Sequence, residues 1–380
     1  MADLPGSSKS AKPGESVDDG KGRIFPCEQC GADLEFHIGQ QDLKCPYCGH
    51  EKLIELAPDT EITEQDFHAI LEKVREWQQQ SGGNTNEGQS EVRCVCGANV
   101  VFVGSLTSSE CPYCGVPLQR DKVHDSPKRV PVHGILSFQV EKEKARRNLS
   151  EWVRSRWFAP NEFLQRGVEG RFNGVYLPFW TYDSMTFSRY WGERGDHYYV
   201  TVPHNNQIGT RQDRRTLWTS VSGSHQRFFD DVLVLATNGM NRDLMDDLEP
   251  WPLENLQPFT QELLAGFMAR TYEVQLDEGF PIAQKRIDAE IASDVNGLIG
   301  GDEQRISEIK TRYDAITFKH LLLPVWLLAY RYHGKTFQVL VNAVTGEVQG
   351  ERPYSFWKIT LTVLFVLAVV GVIAYFKSHG

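Results

Sequence analysis

The sequence predicts an α+β protein made of two small zinc ribbons, which are short β-hairpin modules, an antiparallel-sheet α+β domain and one C-terminal transmembrane helix. Three observations predict this class: eight cysteines fall into two spaced groups of four, aromatic and β-branched strand patterns recur in the second half, and an apolar run lies near the C-terminus. With 380 residues, 41% of them hydrophobic and 24% charged, the chain has ordinary globular composition and room for two or three domains.

Residues 1–22 are predicted to be a disordered tail, because they are small, polar and rich in Gly, Pro and Ser. The tail contains no apolar run that would form the core of a signal peptide. We therefore expect the bulk of the chain to stay in the cytosol. Thiols remain reduced there, so closely spaced cysteines favour a bound metal over disulfides.

The first cysteine group predicts a zinc ribbon over residues 23–56. Cys27 and Cys30 are followed after fourteen residues by Cys45 and Cys48, and each pair has the Cys-x-x-Cys spacing of a knuckle that turns two thiolates to one side. Two knuckles together complete a tetrahedral site of four sulfurs. Such a closed site leaves no position for water or substrate, so we expect a structural zinc ion and no hydrolytic chemistry.

The second group predicts another ribbon over residues 92–120 and repeats the first at an offset of 66 residues, which indicates an internal duplication. Its predicted ligands are Cys94, Cys96, Cys111 and Cys114. Arg93 stands where the first group has Cys27, and the ligand has moved to Cys94, so this knuckle is one residue short. We expect two zinc ions, the second bound more weakly. Redox-active or merely buried cysteines are the alternative interpretation of both groups.

The segment between the ribbons predicts a connecting amphipathic helix over residues 57–80 and a flexible linker over residues 81–91. The apolar stripe of this helix is expected to pack against a ribbon, with a protein-docking face as the alternative. Residues 21–120 contain 8 Lys or Arg against 15 Asp or Glu, and each zinc tetrathiolate adds negative charge. Since phosphate would be repelled, we do not expect the ribbons to bind nucleic acid.

An α+β domain is predicted over residues 130–350. The motif Leu-Pro-x-Trp occurs in two strand-like stretches, at 177–180 and 323–326, and Pro178 and Pro324 suggest equivalent strand edges or bends. Helices are predicted at 141–157, 258–271 and 279–296. The first of these helices carries a basic cluster, which is interpreted as a solvated face, with contact to anionic headgroups or an acidic partner as the alternative.

Residues 357–376 predict a transmembrane helix. The run is apolar apart from Lys358 at its edge, aromatic residues flank both ends, and 20 helical residues span about 30 Å, the thickness of a bilayer core. A buried core helix is the alternative. Because four residues follow the run, we expect a tail anchor: a single pass at the C-terminus, the lipid bilayer as a partner, and the bulk of the chain cytoplasmic, at the inner or plasma membrane if the source is bacterial.

In addition to the cysteine knuckles, six short runs of the sequence resemble a known family. They lie at 152–160, 174–180, 192–195, 229–232, 323–326 and 341–346. Together they resemble a bacterial family of membrane proteins with N-terminal zinc ribbons of the transcription-factor-IIB type, over nearly all of the chain after the tail. Such sequences are often labelled after the primosomal protein N′ (replication factor Y) superfamily II helicase.

The resemblance implies seven matching zinc ligands, and Cys94 departs from the pattern. The matching cysteines are Cys27, Cys30, Cys45, Cys48, Cys96, Cys111 and Cys114. It also implies partners among membrane-associated proteins of the band-7 or membrane-stress type. The helicase label concerns the ribbon alone, because the chain has no G-x-x-x-x-G-K-[ST] loop for a nucleotide phosphate.

No catalytic constellation is predicted, since the chain has neither G-x-S-x-G nor H-E-x-x-H. His204, His225, His320 and His333 are isolated in the sequence and are interpreted as ordinary surface or core histidines. The leading hypothesis is therefore a non-enzymatic, membrane-tethered zinc-ribbon adaptor that displays a cytosolic domain to protein partners. The alternatives are a nucleic-acid-binding membrane protein without helicase activity of its own, and an enzyme in the Trp-rich domain.

Overall fold

The structure is a computed structural model that describes residues 23–80, 129–156, 172–203, 210–351 and 355–379 apart from short gaps at 26, 33, 41, 55–61, 239 and 333–334, with short strand segments at 17–18 and between 90 and 125. The strands are β1 Val17–Asp18, β2 Arg23–Ile24, β3 Glu35–Phe36, β4 Asp42–Lys44, β5 Glu51–Leu53, β6 Gln65–Asp66, β7 Ser90–Arg93, β8 Asn99–Phe102, β9 Ser108–Glu110, β10 Pro117–Gln119, β11 Val123–Asp125, β12 Gly134–Ile135, β13 Phe172–Pro203, β14 Thr210–Leu235, β15 Gln257–Pro258, β16 Met268–Ala269, β17 Glu303–Tyr332, β18 Lys335–Asn342 and β19 Val348–Gly350. The helices are α1 Phe67–Gln80, α2 Lys142–Arg154, α3 Arg242–Asp246, α4 Leu276–Ile299 and α5 Phe356–His379.

The predicted α+β class is confirmed. A largely antiparallel nine-stranded sheet is built around three long strands in the order β14-β13-β17, with β12 and β15 beyond β17 and the short strands β6, β16, β18 and β19 alongside. Strands β3, β4 and β5 form a separate three-stranded antiparallel sheet in the first predicted ribbon. Strands β7 to β11 form small antiparallel sheets in and next to the second predicted ribbon.

The two Leu-Pro-x-Trp stretches pair directly with each other. In the antiparallel ladder between β13 and β17, Leu177 lies opposite Leu323, so each motif runs along the other. Pro178 and Pro324 do not lie on edge strands or bends, contrary to the prediction. On one side of each proline, one neighbouring strand ends and another begins. The Pro178 carbonyl still accepts a hydrogen bond from the amide of Ala236 at 2.9 Å, and the Pro324 carbonyl accepts one from the amide of Ala343 at 3.1 Å. The missing proline N–H therefore falls at a break in the ladder.

Alternating side chains bury both faces of the sheet. One face carries Leu177, Leu323 and neighbouring aliphatic residues, and the segment around α3 covers it with Trp251. The opposite face carries the motif tryptophans. Trp180 donates its indole hydrogen to the carbonyl of Val274 at 2.9 Å, and Trp326 donates to the carbonyl of Val140 at 2.8 Å. Each tryptophan thereby fixes a covering segment to the sheet while its ring fills the core.

Two of the three helices predicted in the α+β domain agree with the structure. The helix predicted at 141–157 is α2, and the helix predicted at 279–296 is α4, which starts at a capping box between Gln275 and Glu278. The helix predicted at 258–271 is wrong. That segment forms a 3₁₀ turn at Gln261–Leu264 between β15 and β16, because its backbone pairs with sheet strands instead of with itself.

Among the described residues, helix α1 packs against the α+β domain, where the prediction had it pack against a ribbon. Its first residue, Phe67, is buried, and its ring lies 5.1 Å from Phe280 and 6.1 Å from Tyr182. Ile70, Leu71 and Val74 continue the contact. The expected stripe is therefore present, and helix α4 and the sheet together supply its partners.

The three long strands continue past the body of the domain as an arm, which we define as residues 184–203, 210–230 and 303–316. Helix α4 covers one face of the arm, where Ile287, Ile291 and Val295 pack with Tyr190 and Phe229. The other face is open to solvent and carries cation–aromatic contacts, with the guanidinium of Arg305 3.7 Å from the ring centre of Trp218.

Helix α5 is long and apolar enough to cross a membrane. Its 20-residue stretch Phe356–Tyr375 has a mean hydropathy of 2.3, and none of it is buried against the rest of the protein. The hydroxyls of Thr360 and Thr362 donate to the carbonyls one turn earlier, at 2.9 and 2.8 Å. The two polar side chains are thus satisfied within the helix, as a bilayer requires.

Candidate metal centre

The structure brings together Cys27, Cys30, Cys45 and Cys48, as the spacing predicts. All four Sγ atoms lie within 4.8 Å of one another, and the Cys27–Cys48 and Cys30–Cys45 separations are both 3.5 Å. Four sulfurs at about 2.3 Å from a central zinc ion would lie about 3.8 Å apart at the corners of a tetrahedron. The donor set and its dimensions therefore fit a tetrahedral zinc site.

The two knuckles share one backbone design. In each, the amide of the first cysteine donates to the carbonyl five residues later, from Cys27 to Ala32 at 2.7 Å and from Cys45 to His50 at 2.8 Å. Gly31 and Gly49 close the turns at φ of 73° and 75°, values that favour glycine. Backbone hydrogen bonds from Cys48 and Tyr47 lower the pKa of the Cys45 thiol to about 7. At Cys48 a backbone hydrogen bond from His50 lowers the pKa, but burial and the neighbouring thiols outweigh it and raise the pKa. Cys45 is therefore the thiol that more readily forms the thiolate that metals bind.

The cysteine site is joined to the core of the α+β domain. Cys27 and Cys45 are 0% and 1% exposed and belong to one hydrophobic cluster with Leu263 and Ala265, which lie between β15 and β16. The amide of Phe36 in β3 donates to the carbonyl of Ala265 at 3.1 Å. The first ribbon is therefore packed into the domain, and its metal site lies against the segment that the sequence had predicted as a helix.

The second cysteine group lies outside the described residues. Cys94, Cys96, Cys111 and Cys114 are among the residues whose placement is not described, so the expectation of a second, weaker zinc site stays a prediction. His204 and His333 also lie outside the described residues.

A polar cluster that the sequence analysis missed lies where the arm leaves the body. The carboxylate oxygens of Glu64, Asp183 and Asp230 lie within 4.8 Å of one another, and the Nζ atom of Lys319 lies 2.7 Å from Asp231. The strand register shifts here on both sides of β13. The signal in the sequence was an aspartate inside an otherwise aromatic and apolar strand run, followed on the next strand by an Asp-Asp pair.

Asp183 is the buried centre of this cluster. Its side chain is 0% exposed and accepts hydrogen bonds from the amide of Asp231 at 2.6 Å and from the hydroxyl of Thr317 at 3.0 Å. Burial raises the pKa of Asp183 to about 6, against the opposing effects of the Asp231 amide and the Lys319 ammonium. Because Lys319 already supplies a cation, we assign the cluster a role in the fold and no metal.

Replacement Asp183→Asn should make the unfolding free energy less sensitive to pH. An unfolded aspartate ionises near pH 3.9, so the raised pKa makes the native wild type take up a proton as the pH falls through 6. As the pH falls from 7.5 to 5, the unfolding free energy of the wild type should therefore rise by about 1 kcal/mol relative to that of the variant. This range lies above the pH at which acid strips zinc from cysteine ligands. Urea unfolding of both proteins across this range measures it. A pH-independent difference would contradict the assignment.

His225 and His320, two of the four histidines considered in the sequence, both contact neighbouring parts of the fold. His320 is 4% exposed, its Nδ1 lies 3.1 Å from the carbonyls of Val130 and Pro131, and its ring lies 4.7 Å from that of Trp180. Burial lowers its pKa to about 4, so the ring is neutral at ordinary pH. His225 bonds to Asp294 of α4 at 3.0 Å and holds that helix to the arm.

Comparison with known proteins finds a distant bacterial relative. The uncharacterized protein YdjG of Bacillus subtilis (strain 168) is 25% identical over 340 residues, which cover 88% of this chain and 91% of YdjG. No protein-family pattern matches the chain. No solved structure matches it either. These comparisons give the primosomal helicase label no support.

Proposed function

We propose that this protein is a membrane-tethered zinc-ribbon adaptor, which holds its domains at the cytosolic face of a membrane to recruit protein partners. The observation that carries the proposal is the closed cysteine site in the domain core together with a separate, fully exposed apolar helix at the C-terminus. Four protein sulfurs leave a zinc ion no open position, which supports a structural role. An unburied apolar helix needs another apolar phase, which supports a bilayer anchor.

In this proposal the chain binds two structural zinc ions and has no enzymatic activity of its own. The partners are membrane-associated proteins of the band-7 or membrane-stress type, as the family resemblance implies. The extended arm supports such a role, because it presents exposed Trp191, Tyr199 and Phe228 away from the body of the domain. Exposed aromatic residues of this kind are enriched where proteins bind one another.

The anchor is tested by charging the helix. The full-length double variant Val366→Arg/Val369→Arg should leave the membrane fraction, because each arginine at the middle of a span costs about 2.5–3.5 kcal/mol of insertion free energy. The matched variant Val366→Leu/Val369→Leu should remain in the membrane. Fractionation by carbonate extraction and immunoblotting measures this result. Membrane retention of the arginine variant would contradict the anchor.

The adaptor role is tested by crosslinking in intact membranes. The wild-type chain should capture a defined set of proteins. A variant in which an unrelated single-pass span replaces residues 356–380 should capture the same set. Replacement Cys45→Ser should lose that set. Protease digestion of inverted vesicles should remove the N-terminal bulk, as a cytosolic orientation requires. Failure to recover any reproducible partner, or salt-sensitive DNA binding abolished by Cys45→Ser, would overturn the proposal in favour of its alternatives.

A further inference from the structure

Strand β14 presents a long free edge. It pairs with β13 on one side, and in the part of the chain that the structure describes no strand pairs with its other side. Residues 216–226 of this edge, Thr-Leu-Trp-Thr-Ser-Val-Ser-Gly-Ser-His-Gln, are eleven consecutive residues without Asp, Glu, Lys or Arg. At a rise of about 3.3 Å per residue they extend roughly 36 Å. An uncharged edge of this length is a template for another strand.

The opposite edge of the arm is built differently. There β17 carries Glu303, Arg305, Glu308, Lys310, Arg312 and Asp314 within twelve residues. Charged side chains along an edge strand are a common way for proteins to prevent edge-to-edge pairing. The arm is therefore blocked by charge on one edge and left open on the other.

The charges at the two ends of β14 identify the occupant. The start of the strand carries Arg211, Arg214 and Arg215 with one aspartate, and its end carries Asp230 and Asp231 with one arginine. Antiparallel pairing of two β14 strands places the basic start of each beside the acidic end of the other. Parallel pairing would place like charge beside like charge. The pattern is thus self-complementary under a two-fold axis.

We propose that two copies of this chain pair through antiparallel β14 strands, centred on Val221. In this register Arg211 lies opposite Asp231 of the second copy, and Arg214 lies opposite the exposed ring of Phe228. Within each chain Arg211 already pairs with Asp213 and Asp231 with Lys319, so the complementarity is one of local net charge and needs no new ion pair. Arg215 meets Arg227 of the second copy, whose charge is already offset by Glu290 and Asp294. The pairing joins the two arms into one six-stranded sheet.

The middle of the edge suits close approach. Ser220, Ser222 and Ser224 project from one face of the strand and are exposed, so the side chains that meet nearest the axis on this face are small. The two-fold axis is perpendicular to the sheet, so the two C-terminal helices leave the dimer on the same side of the sheet. This inference goes beyond the adaptor proposal and does not need the zinc site, although both proposals use the exposed Phe228 of the arm.

The test is the oligomeric state of the full-length chain in detergent. Double replacement Ser220→Lys/Ser222→Lys places lysine opposite lysine across the axis and should raise the dimer Kd at least about tenfold. The control Ser307→Lys adds a lysine to the already charged β17 edge and should leave the Kd unchanged. Mass photometry over a dilution series gives the Kd of all three proteins. Circular dichroism melting checks that each variant folds.

Hydrogen exchange identifies the interface. Those amides of residues 216–226 that point away from β13 should be protected at concentrations where the wild type is dimeric and should lose that protection on dilution. A wild type that stays monomeric at high micromolar concentration would overturn the proposal. So would a dimer that survives in the double-lysine variant, since another surface would then hold it. If a strand from a different protein bound this edge, the amides would be protected only after membrane extract is added. That result would also overturn self-pairing.

Discussion

Replacing Cys45 with serine is expected to unfold the first ribbon and to destabilise the α+β domain by on the order of 5 kcal/mol. Cys45 is 1% exposed and lies in one hydrophobic cluster with Leu263 and Ala265, so loss of the metal site also removes packing from the sheet domain. Small ribbons have too little core to fold without their metal. The damage should therefore spread beyond the ribbon.

Hydrogen exchange and urea unfolding measure this effect. In the variant, the amide of Phe36 should lose the protection given by its hydrogen bond to Ala265, and residues 259–267 should exchange faster. Tyr47→Ala is the matched control, because Tyr47 lies in the same knuckle and is 83% exposed. It should change the unfolding free energy by less than about 0.5 kcal/mol. Unchanged exchange at 259–267 in the serine variant would contradict the account.

Replacing Glu273 with alanine is expected to cost about 3–5 kcal/mol of unfolding free energy. Arg270 has a fully buried side chain, and its guanidinium bonds to Glu273 at 2.8 Å. The other carboxylate oxygen accepts from Thr237 and from the amide of Asn238, at 3.2 and 2.9 Å. Removing this carboxylate strips a buried cation of a charge partner and leaves the segment before α4 joined to the end of β14 here by the backbone bonds to the Ala236 carbonyl.

Chemical unfolding of the wild type and two variants tests this pair. Glu254→Ala removes an exposed glutamate from the segment that covers the other face of the sheet and should be nearly neutral. Glu273→Gln keeps a hydrogen-bond acceptor and should fall between alanine and wild type. If Glu273→Ala were as mild as Glu254→Ala, the ion pair would not secure the segment before α4.

The elements that the sequence predicted well are those with strong local patterns. The cysteine spacing placed four sulfurs together, and the apolar periodicity of residues 279–296 located α4, whose Ile287, Ile291 and Val295 are buried. The duplicated Leu-Pro-x-Trp motif indicated two related strands. That these strands pair with each other depends on a contact between residues 146 apart in the sequence, which no local pattern reports.

The predictions that failed depended on tertiary contacts. Residues 258–271 have helical spacing, but their backbone donors and acceptors are used by β12, β13 and neighbouring loops, so the sheet overrides local propensity. The acidic cluster at the base of the arm escaped detection because Glu64, Asp183 and Asp230 are far apart in the sequence. The packing of the ribbon against Ala265 was hidden for the same reason.

The zinc content of the protein decides whether the two cysteine groups bind metal. Protein purified in detergent with metal-free buffers should contain two zinc ions per chain, and Cys45→Ser and Cys111→Ser should each remove one. A second site weakened by the short Cys94 knuckle should lose its ion first when a chelator is titrated. Wild-type protein without zinc, or Cys45→Ser protein with its full zinc content, would contradict the account.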